Sequence, residues 1–228
     1  MVIAAGTSRW QIDHQLRPRR SRPVAREPMI HNSCGRLAPP WLVAWLVAGC
    51  TATRELALPN VQQTTDFTCG AAVLEAVLAY YGEETYEADL ARELGATPDD
   101  GVPPEAIVRV AKAHHLQADL RQGLAVDDLR RAVAGGIPVL LALQAWPYVP
   151  RTHFADDWDD GHYVVVVAVE RDRIVFEDPS LLGSRGVLTR AELEDRWHDA
   201  DGGRRNFHLG IFFSGKSPAP PPLRRHID

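Results

Sequence analysis

The residue with the most reactive side chain in this sequence is Cys69, and its surroundings indicate how it is held. A polar stretch, Gln63–Thr68, leads into it, and an apolar run from Ala71 to Tyr81 follows before Gly82. Because the apolar residues recur at the spacing of one helical face, the run predicts a buried helix with Cys69 at its start. There the unpaired backbone N–H groups and the helix dipole favour a thiolate, the nucleophilic form. The alternative interpretation is a small buried residue that only packs at the helix start.

A nucleophilic thiol needs a base, and the base needs a group that orients it. His162 begins the strongest strand pattern of the chain, His162–Val169, and Asp178 ends the next predicted strand. If an odd-numbered turn centred on Glu170 joins the strands, His162 and Asp178 lie directly opposite on one face, with Cβ atoms about 5 Å apart. An even-numbered turn would put them on opposite faces. The competing interpretation is a surface histidine and a turn-forming aspartate before proline.

A glutamine upstream of the cysteine adds a third kind of chemistry. Gln63 precedes Cys69 by six residues, and its side-chain amide is a candidate donor to an oxyanion beside the Cys69 backbone N–H. Gln62 is a nearly equal rival for this role. Together these patterns predict a thiol-dependent hydrolase site made of Cys69, His162, Asp178 and Gln63.

The N-terminal part of the chain has the composition of a leader. Residues 1–28 are rich in arginine and poor in large apolar residues, which leaves two alternatives, a basic leader or a start of synthesis at Met29. The apolar run 41–50 is too short to span a bilayer, which takes about 20 residues, and it fits the core of a signal peptide. Its end, Val47–Cys50, is similar to a bacterial lipobox, so we expect Cys50 to be lipidated and to anchor an exported chain in the cell envelope. The alternative is a plain buried hydrophobic segment.

The cysteine inventory separates Cys69 from Cys34 and Cys50. In the lipoprotein interpretation Cys34 leaves with the signal peptide and Cys50 is acylated, so Cys69 is the single free thiol. A thiol without a disulfide partner in an oxidising compartment is more often kept for its reactivity. No CxxC pair occurs, which argues against a thiolate zinc site, and we expect no metal and no cofactor. The net charge of -5 gives no reason to expect a nucleic-acid partner.

The order of the predicted elements defines the fold class. Helices come first and consecutive strands with hairpin connections follow, which favours an α+β fold with helices packed on an antiparallel sheet. The predicted helices cover 71–81, 86–94, 103–114, 127–134 (with Asp127 as N-cap) and 190–197, and the predicted strands cover 116–120, 137–143, 162–169, 174–178 and 206–213. The domain plan is a leader and signal peptide over 1–50, a tether over 51–57, a folded domain over 58–214 and a Pro-rich disordered tail over 215–228.

Three sequence blocks in this order carry a family resemblance. Gln63 with Cys69-Gly70-Ala71-Ala72, then His162–Val166, then Asp178-Pro179-Ser180 resemble the C39 family of papain-like cysteine peptidases over about residues 58–214. The resemblance implies a papain-like fold with the nucleophile on the first buried helix, and a peptide or protein substrate. It also implies that Cys69 is the nucleophile, His162 the base, Asp178 the orienting carboxylate and Gln63 the oxyanion donor.

Two departures from the best-known C39 members limit what the resemblance implies. Those members are fused to peptide exporters and cut leader peptides after a double glycine, whereas this sequence carries neither a transmembrane domain nor an ATP-binding motif. Thr68 also stands where those members usually have an acidic residue. We therefore expect a stand-alone, lipid-anchored member whose substrate differs from a double-glycine leader.

Two other functions compete with a C39-like peptidase. One is a peptidoglycan amidase of the NlpC/P60 type, which the Gln63 block and the Asp178-Pro179 pair make the weaker resemblance. The other is a non-catalytic module that binds a peptide or a partner protein in the same cleft. The two enzymes would differ in whether they digest cell-wall fragments.

One loop before the strongest strand is unusually acidic. It carries four aspartates close to His153, and their spacing does not match an EF-hand, so we interpret them as a solvated acidic loop rather than a calcium site. The four are Asp156, Asp157, Asp159 and Asp160. With Trp146 and Trp158 the loop is predicted to rim the cleft, which favours an extended substrate with some positive charge.

Overall fold

The computed structural model describes residues 55–220, and every structural statement below concerns this part of the chain. The predicted leader and signal peptide, Cys50 and most of the tether lie outside it. Within residues 55–220, no helix is long and apolar enough to cross a membrane. The elements are α1 (Cys69–Tyr80), α2 (Glu87–Leu94), α3 (Pro104–Ala113), β1 (Gln117–Arg121), α4 (Val126–Ala134), β2 (Val139–Gln144), β3 (Gly161–Val169), β4 (Arg173–Glu177), β5 (Gly186–Thr189), α5 (Arg190–Arg196), β6 (His198–Asp201), β7 (Arg204–Phe207) and β8 (Gly210–Ser214).

A six-stranded sheet forms the centre of the fold. Its strands lie in the order β1-β8-β2-β3-β4-β5, every neighbouring pair is antiparallel, and β6 and β7 form a separate hairpin. The two central strands, β2 and β3, are buried along almost their whole length, which explains their continuous apolar sequences. The helices α1 and α4 pack against β3. The predicted α+β class with an antiparallel sheet is confirmed.

Helix α1 is buried on nearly all sides because its residues are small or apolar. It packs against α2, α3 and β3, and residues such as Ala71, Ala72 and Leu74 have no exposed surface. Gly70 allows α1 to pack closely against Val102, since a Cβ at position 70 would lie only 3.0 Å from the Cβ of Val102. This packing fixes the first turn of α1, where Cys69 lies.

The hairpin of β3 and β4 corrects the predicted register. Val169 pairs with Ile174, which leaves an even number of residues in the turn. The register then shifts between Val166 and Ala168, and beyond this bulge Val165 pairs with Glu177. The extra residue of the bulge shifts the strand by one position, so residues that the even-numbered turn would place on opposite faces share a face beyond the bulge. Asp178 therefore follows on the same face as His162 but diagonal to it, and the prediction of direct opposition was wrong.

Three local predictions also differ from the structure. The predicted strand over 206–213 is two strands, because His208 has a φ of 48° and separates β7 from β8. The N-cap of α4 is Ala125, two residues before the predicted Asp127, and the N–H of Ala125 donates to Asp128 Oδ2 at 2.9 Å. The short strands β5 and β6 were not predicted, since neither has an alternating apolar pattern.

Candidate active site

Cys69 is the first residue of α1 and lies at the wall of a cleft of about 380 Å³. It is 8% exposed, and it is the free cysteine of the described part of the chain. His162 of β3 lines the same cleft. Cys69 therefore lies at the N-terminus of a helix, the end at which the helix dipole favours negative charge.

His162 and Asp178 form a buried hydrogen-bonded pair. Nε2 of His162 lies 2.8 Å from Oδ1 of Asp178, and both side chains are less than a tenth exposed. Asp178 also accepts from the Ser180 backbone N–H at 2.9 Å and from Trp146 Nε1 at 3.2 Å. Burial acts to raise the pKa of Asp178, but the hydrogen bond and charge of His162, with these two donors, lower it. Asp178 is therefore a fixed carboxylate that holds one ring nitrogen of His162.

The remaining side of His162 faces Cys69. Burial acts to lower the pKa of His162, but hydrogen bonds to Asp178 and Cys69, together with their charges, raise it to about 9. The imidazole is thus protonated at neutral pH beside the Asp178 carboxylate. A thiolate beside an imidazolium is the resting form that papain-like thiol enzymes use for nucleophilic attack.

Gln63 is held tightly at the start of the turn that leads to Cys69. Its backbone N–H donates to the Pro179 carbonyl at 2.9 Å, and its Nε2 donates to the Thr65 carbonyl at 3.0 Å. Its Oε1 accepts from the Ser180 hydroxyl at 3.4 Å. The rival Gln62 is exposed. Because Nε2 of Gln63 carries two N–H groups and one donates to Thr65, the second is the candidate donor to an oxyanion.

Two buried glutamates fix the backbone before Cys69 to the rest of the domain. Glu177, 1% exposed at the end of β4, accepts from the Val61 N–H at 2.8 Å and forms an ion pair with Arg185. Glu87 at the start of α2 accepts from the Thr64 N–H at 2.9 Å. The Glu177 contact ties this segment to the strand that precedes Asp178, and the Glu87 contact ties it to α2.

The two tryptophans predicted to rim the cleft have different positions. Trp158 lines the cleft that holds Cys69 and His162. Trp146 instead covers Asp178 and lines a second, mostly apolar cavity of about 620 Å³. Because His162 lines one cavity and Asp178 the other, the two cavities meet at this hydrogen-bonded pair.

The acidic loop before β3 is less solvated than predicted. Asp157 is 4% exposed and its Oδ2 lies 2.9 Å from Nη1 of Arg151, whose Nη2 lies 3.3 Å from Oδ2 of Asp160. The prediction of a solvated acidic loop holds for Asp156 and Asp159, which are exposed, and is wrong for Asp157 and Asp160, which form ion pairs with Arg151. Among residues 55–220, no group of three or more His, Cys, Asp or Glu side chains could hold a metal ion.

Two further aspartates of the cleft were not predicted. Asp199 and Asp201 lie on β6 and face the cleft beside His162. The sequence of this strand, His198–Asp201, has no alternating pattern of apolar residues and therefore did not predict a strand. Only the pairing of β6 with β7 brings the two carboxylates to the site.

The fold is that of the papain-like cysteine peptidases, with a helix bearing a cysteine packed on an antiparallel sheet that bears a histidine. The model of the Peptidase_C39 like family matches residues 55–203. Because this match covers more than half of the sequence, the chain belongs to this family of cysteine peptidases. A search of curated proteins found no match.

Solved structures show the same fold at low sequence identity. A C39-like peptidase from Bacillus anthracis is 19% identical with a TM-score of 0.57, and the alignment covers 72% of this chain and 98% of that one. The peptidase domain of Streptococcus ComA, a bi-functional ABC transporter involved in quorum sensing, is 19% identical with a TM-score of 0.52, over 68% and 97% of the two chains. A double glycine motif protease from an AMS/PCAT transporter, solved with its leader peptide, is 17% identical with a TM-score of 0.51, over 72% and 95%.

Proposed function

We propose that this protein hydrolyses a peptide bond through a Cys69–His162–Asp178 triad. The observation that carries the proposal is the buried hydrogen bond of 2.8 Å between His162 and Asp178, with Cys69 beside the imidazole in the same cleft. The Cys69 thiolate attacks the carbonyl carbon, and the tetrahedral oxyanion accepts hydrogen bonds from the Cys69 N–H and the Gln63 amide. His162 gives its proton to the leaving amine, and the acyl-enzyme forms.

The second half of the reaction uses the same groups in reverse. The neutral His162 removes a proton from water, the hydroxide attacks the thioester, and Cys69 leaves as the thiolate with the imidazolium restored. Asp178 holds the tautomer and orientation of the ring through both steps, as the third member does in other triads. The Ser180 N–H and Trp146 contacts to Asp178 support this role, because they fix the carboxylate before substrate arrives.

The substrate is a peptide or protein of the bacterial cell envelope in this proposal. One structural relative was solved with a leader peptide bound, which supports an extended peptide as the kind of ligand for this fold. Double-glycine specificity is not part of this proposal, since Thr68 stands where exporter-linked members usually have an acidic residue.

The direct test is cleavage of a defined peptide pool by the full chain, with Cys69→Ala and Cys69→Ser as inactive controls. We expect new peptide termini with the wild type and none with either variant. Purified cell-wall fragments provide the second substrate. Turnover of these fragments alone would favour the NlpC/P60-type amidase, and turnover of neither would favour the non-catalytic binding module.

Envelope attachment through Cys50 is the second part of the proposal. It rests on the apolar segment and on the small residues before Cys50, in Val47–Cys50. We expect full-length protein made in bacteria to incorporate a fatty-acid label and to sediment with membranes. Cys50→Ser should abolish both, whereas Cys34→Ser should retain both. A membrane-bound, labelled Cys50→Ser protein would contradict the lipid anchor.

A further inference from the structure

The cleft that holds Cys69 and His162 has a strongly acidic wall. Its aspartates come from the turn before α1, the loop before α3, the loop before β3, and strand β6. They are Asp66, Asp99, Asp100, Asp159, Asp199 and Asp201. Among the described residues that line this cleft, none is lysine or arginine. The second cavity, on the Asp178 side, contrasts with it, because arginines line it.

Asp199 is the most deeply placed of these carboxylates. It is 9% exposed, and within residues 55–220 no Lys, Arg or His forms an ion pair with it. Its Oδ1 accepts from Nε2 of Gln144 at 3.2 Å, a buried amide that also donates to the His198 carbonyl at 3.1 Å. Burial, with the charge of Asp201, raises the pKa of Asp199 to about 6, so at neutral pH it is mostly ionised.

A glycine next to His162 provides the space that the Asp199 carboxylate occupies. Gly161 directly precedes His162, and a Cβ on Gly161 would lie 2.5 Å from Oδ1 of Asp199. A side chain at this position is therefore excluded by the carboxylate itself. Asp199 of β6 thus lies against the residue that precedes the base on β3, and it lines the same cleft as Cys69 and His162.

A metal ion does not fit this acidic wall. The described residues contain no group of three or more His, Cys, Asp or Glu side chains that could hold one. The carboxylates are spread along the cleft rather than directed at one point. Spread negative charge in a cleft that contains a nucleophile matches a cationic organic ligand.

We propose that the cleft selects substrates with a basic side chain, a lysine-type ammonium or an arginine-type guanidinium, next to the scissile bond, and that Asp199 binds this cation. The inference rests on the proposed function, because it takes the Cys69 cleft as the place where substrate binds. The other cleft aspartates attract the substrate at longer range, and Asp199 contacts it. A charged pair formed inside a partly dehydrated cleft discriminates well against a substrate that lacks the cation.

Matched affinity labels test this inference on the full chain. The probes are tripeptide chloromethyl ketones that carry lysine or its uncharged analogue norleucine at the first or second residue from the ketone. The readout is the rate of covalent modification of Cys69, measured by mass spectrometry of the peptide that contains it. Iodoacetamide serves as the small neutral reagent that reports the thiol alone. The variants are Asp199→Asn and, as a control with an exposed carboxylate in the same cleft, Asp159→Asn.

The expected result is a lysine probe that labels the wild type at least about tenfold faster than its norleucine analogue at one of the two positions. This preference should fall close to unity in Asp199→Asn, persist in Asp159→Asn, and weaken as salt is added. Iodoacetamide rates should be the same in all three proteins. If Asp199→Asn does not fold, the salt dependence of the wild-type preference remains as the test.

Three outcomes would overturn the inference or part of it, and they can be told apart. Equal labelling by the lysine and norleucine probes, with His162-dependent iodoacetamide reactivity, would refute cation selection and leave the peptidase proposal standing. Iodoacetamide reactivity that is unchanged in His162→Ala would refute the thiolate–imidazolium pair, and with it both proposals. A lysine preference that survives in Asp199→Asn would refute the assignment to Asp199.

Discussion

Removing the carboxylate of Asp178 should strongly lower the pKa of His162. In the structure the pKa of His162 rises from 6.5 to about 9, which corresponds to roughly 3 kcal/mol in favour of the imidazolium. Burial acts in the opposite direction, and Asp178 provides the first of the interactions that outweigh it. In Asp178→Ala the effect of burial should therefore dominate and lower the pKa of His162. The population of the Cys69 thiolate–imidazolium pair should then decrease on the order of 100-fold near neutral pH.

The variant Asp178→Asn separates charge from orientation. Asparagine keeps an oxygen that can accept from His162, as in the Cys-His-Asn sites of other papain-like enzymes, but it carries no charge. We expect an intermediate loss, about tenfold, because the ring stays aligned while the imidazolium loses the charge of the Asp178 carboxylate. The matched control is Asp172→Asn, since Asp172 is an exposed residue in the turn of the same hairpin.

The assay is alkylation of Cys69 by iodoacetamide in the full chain, from about pH 5 to about pH 10. Mass spectrometry of the peptide that contains Cys69 separates its reaction from those of Cys34 and Cys50. The wild type and Asp172→Asn should react well below the range of an ordinary thiol, which titrates near 8.5. Asp178→Ala should lose this acidic reactivity. A wild-type profile in Asp178→Ala would refute the reasoning, because it would mean that Asp178 does not hold the proton on His162.

Three further predictions follow from the same geometry. Gln63→Ala should lower kcat by about 100- to 1,000-fold as an oxyanion donor would, and Gln62→Ala should not; equal, small losses in both would contradict the role of Gln63. Peptidase activity should decline above about pH 9, because His162 then loses the proton that it gives to the leaving amine, and a pH–kcat profile that stays flat through this range would argue against it as the acid. Gly161→Ala should lower the free energy of unfolding by about 1–3 kcal/mol in urea titrations, since the new Cβ meets Asp199, and an unchanged midpoint would contradict the close packing.

The helix that carries the nucleophile was predictable from local sequence. Small and apolar residues from Ala71 to Tyr81 recur at helical spacing, and such a pattern forms a buried helix in almost any fold that supplies a partner surface. Strand β3 was predictable for the same reason, because its run of valines suits a strand buried on both faces. The types and order of Cys69, His162 and Asp178 follow directly from the sequence. Their roles remain the proposal that the alkylation assay tests.

The tertiary structure decided how these residues meet. The bulge between Val166 and Ala168 places His162 and Asp178 on the same face of the sheet, whereas the even-numbered turn alone would have placed them on opposite faces. No residue type in the strand predicts this bulge. Asp199 reaches the site only because β6 pairs with β7 and Gln144 holds its carboxylate. Register and long-range pairing depend on the summed packing of the whole sheet, whereas helix and strand patterns depend on neighbours along the chain. This difference is why the sequence predicted the reactive residues, and only the fold revealed the acidic wall beside them.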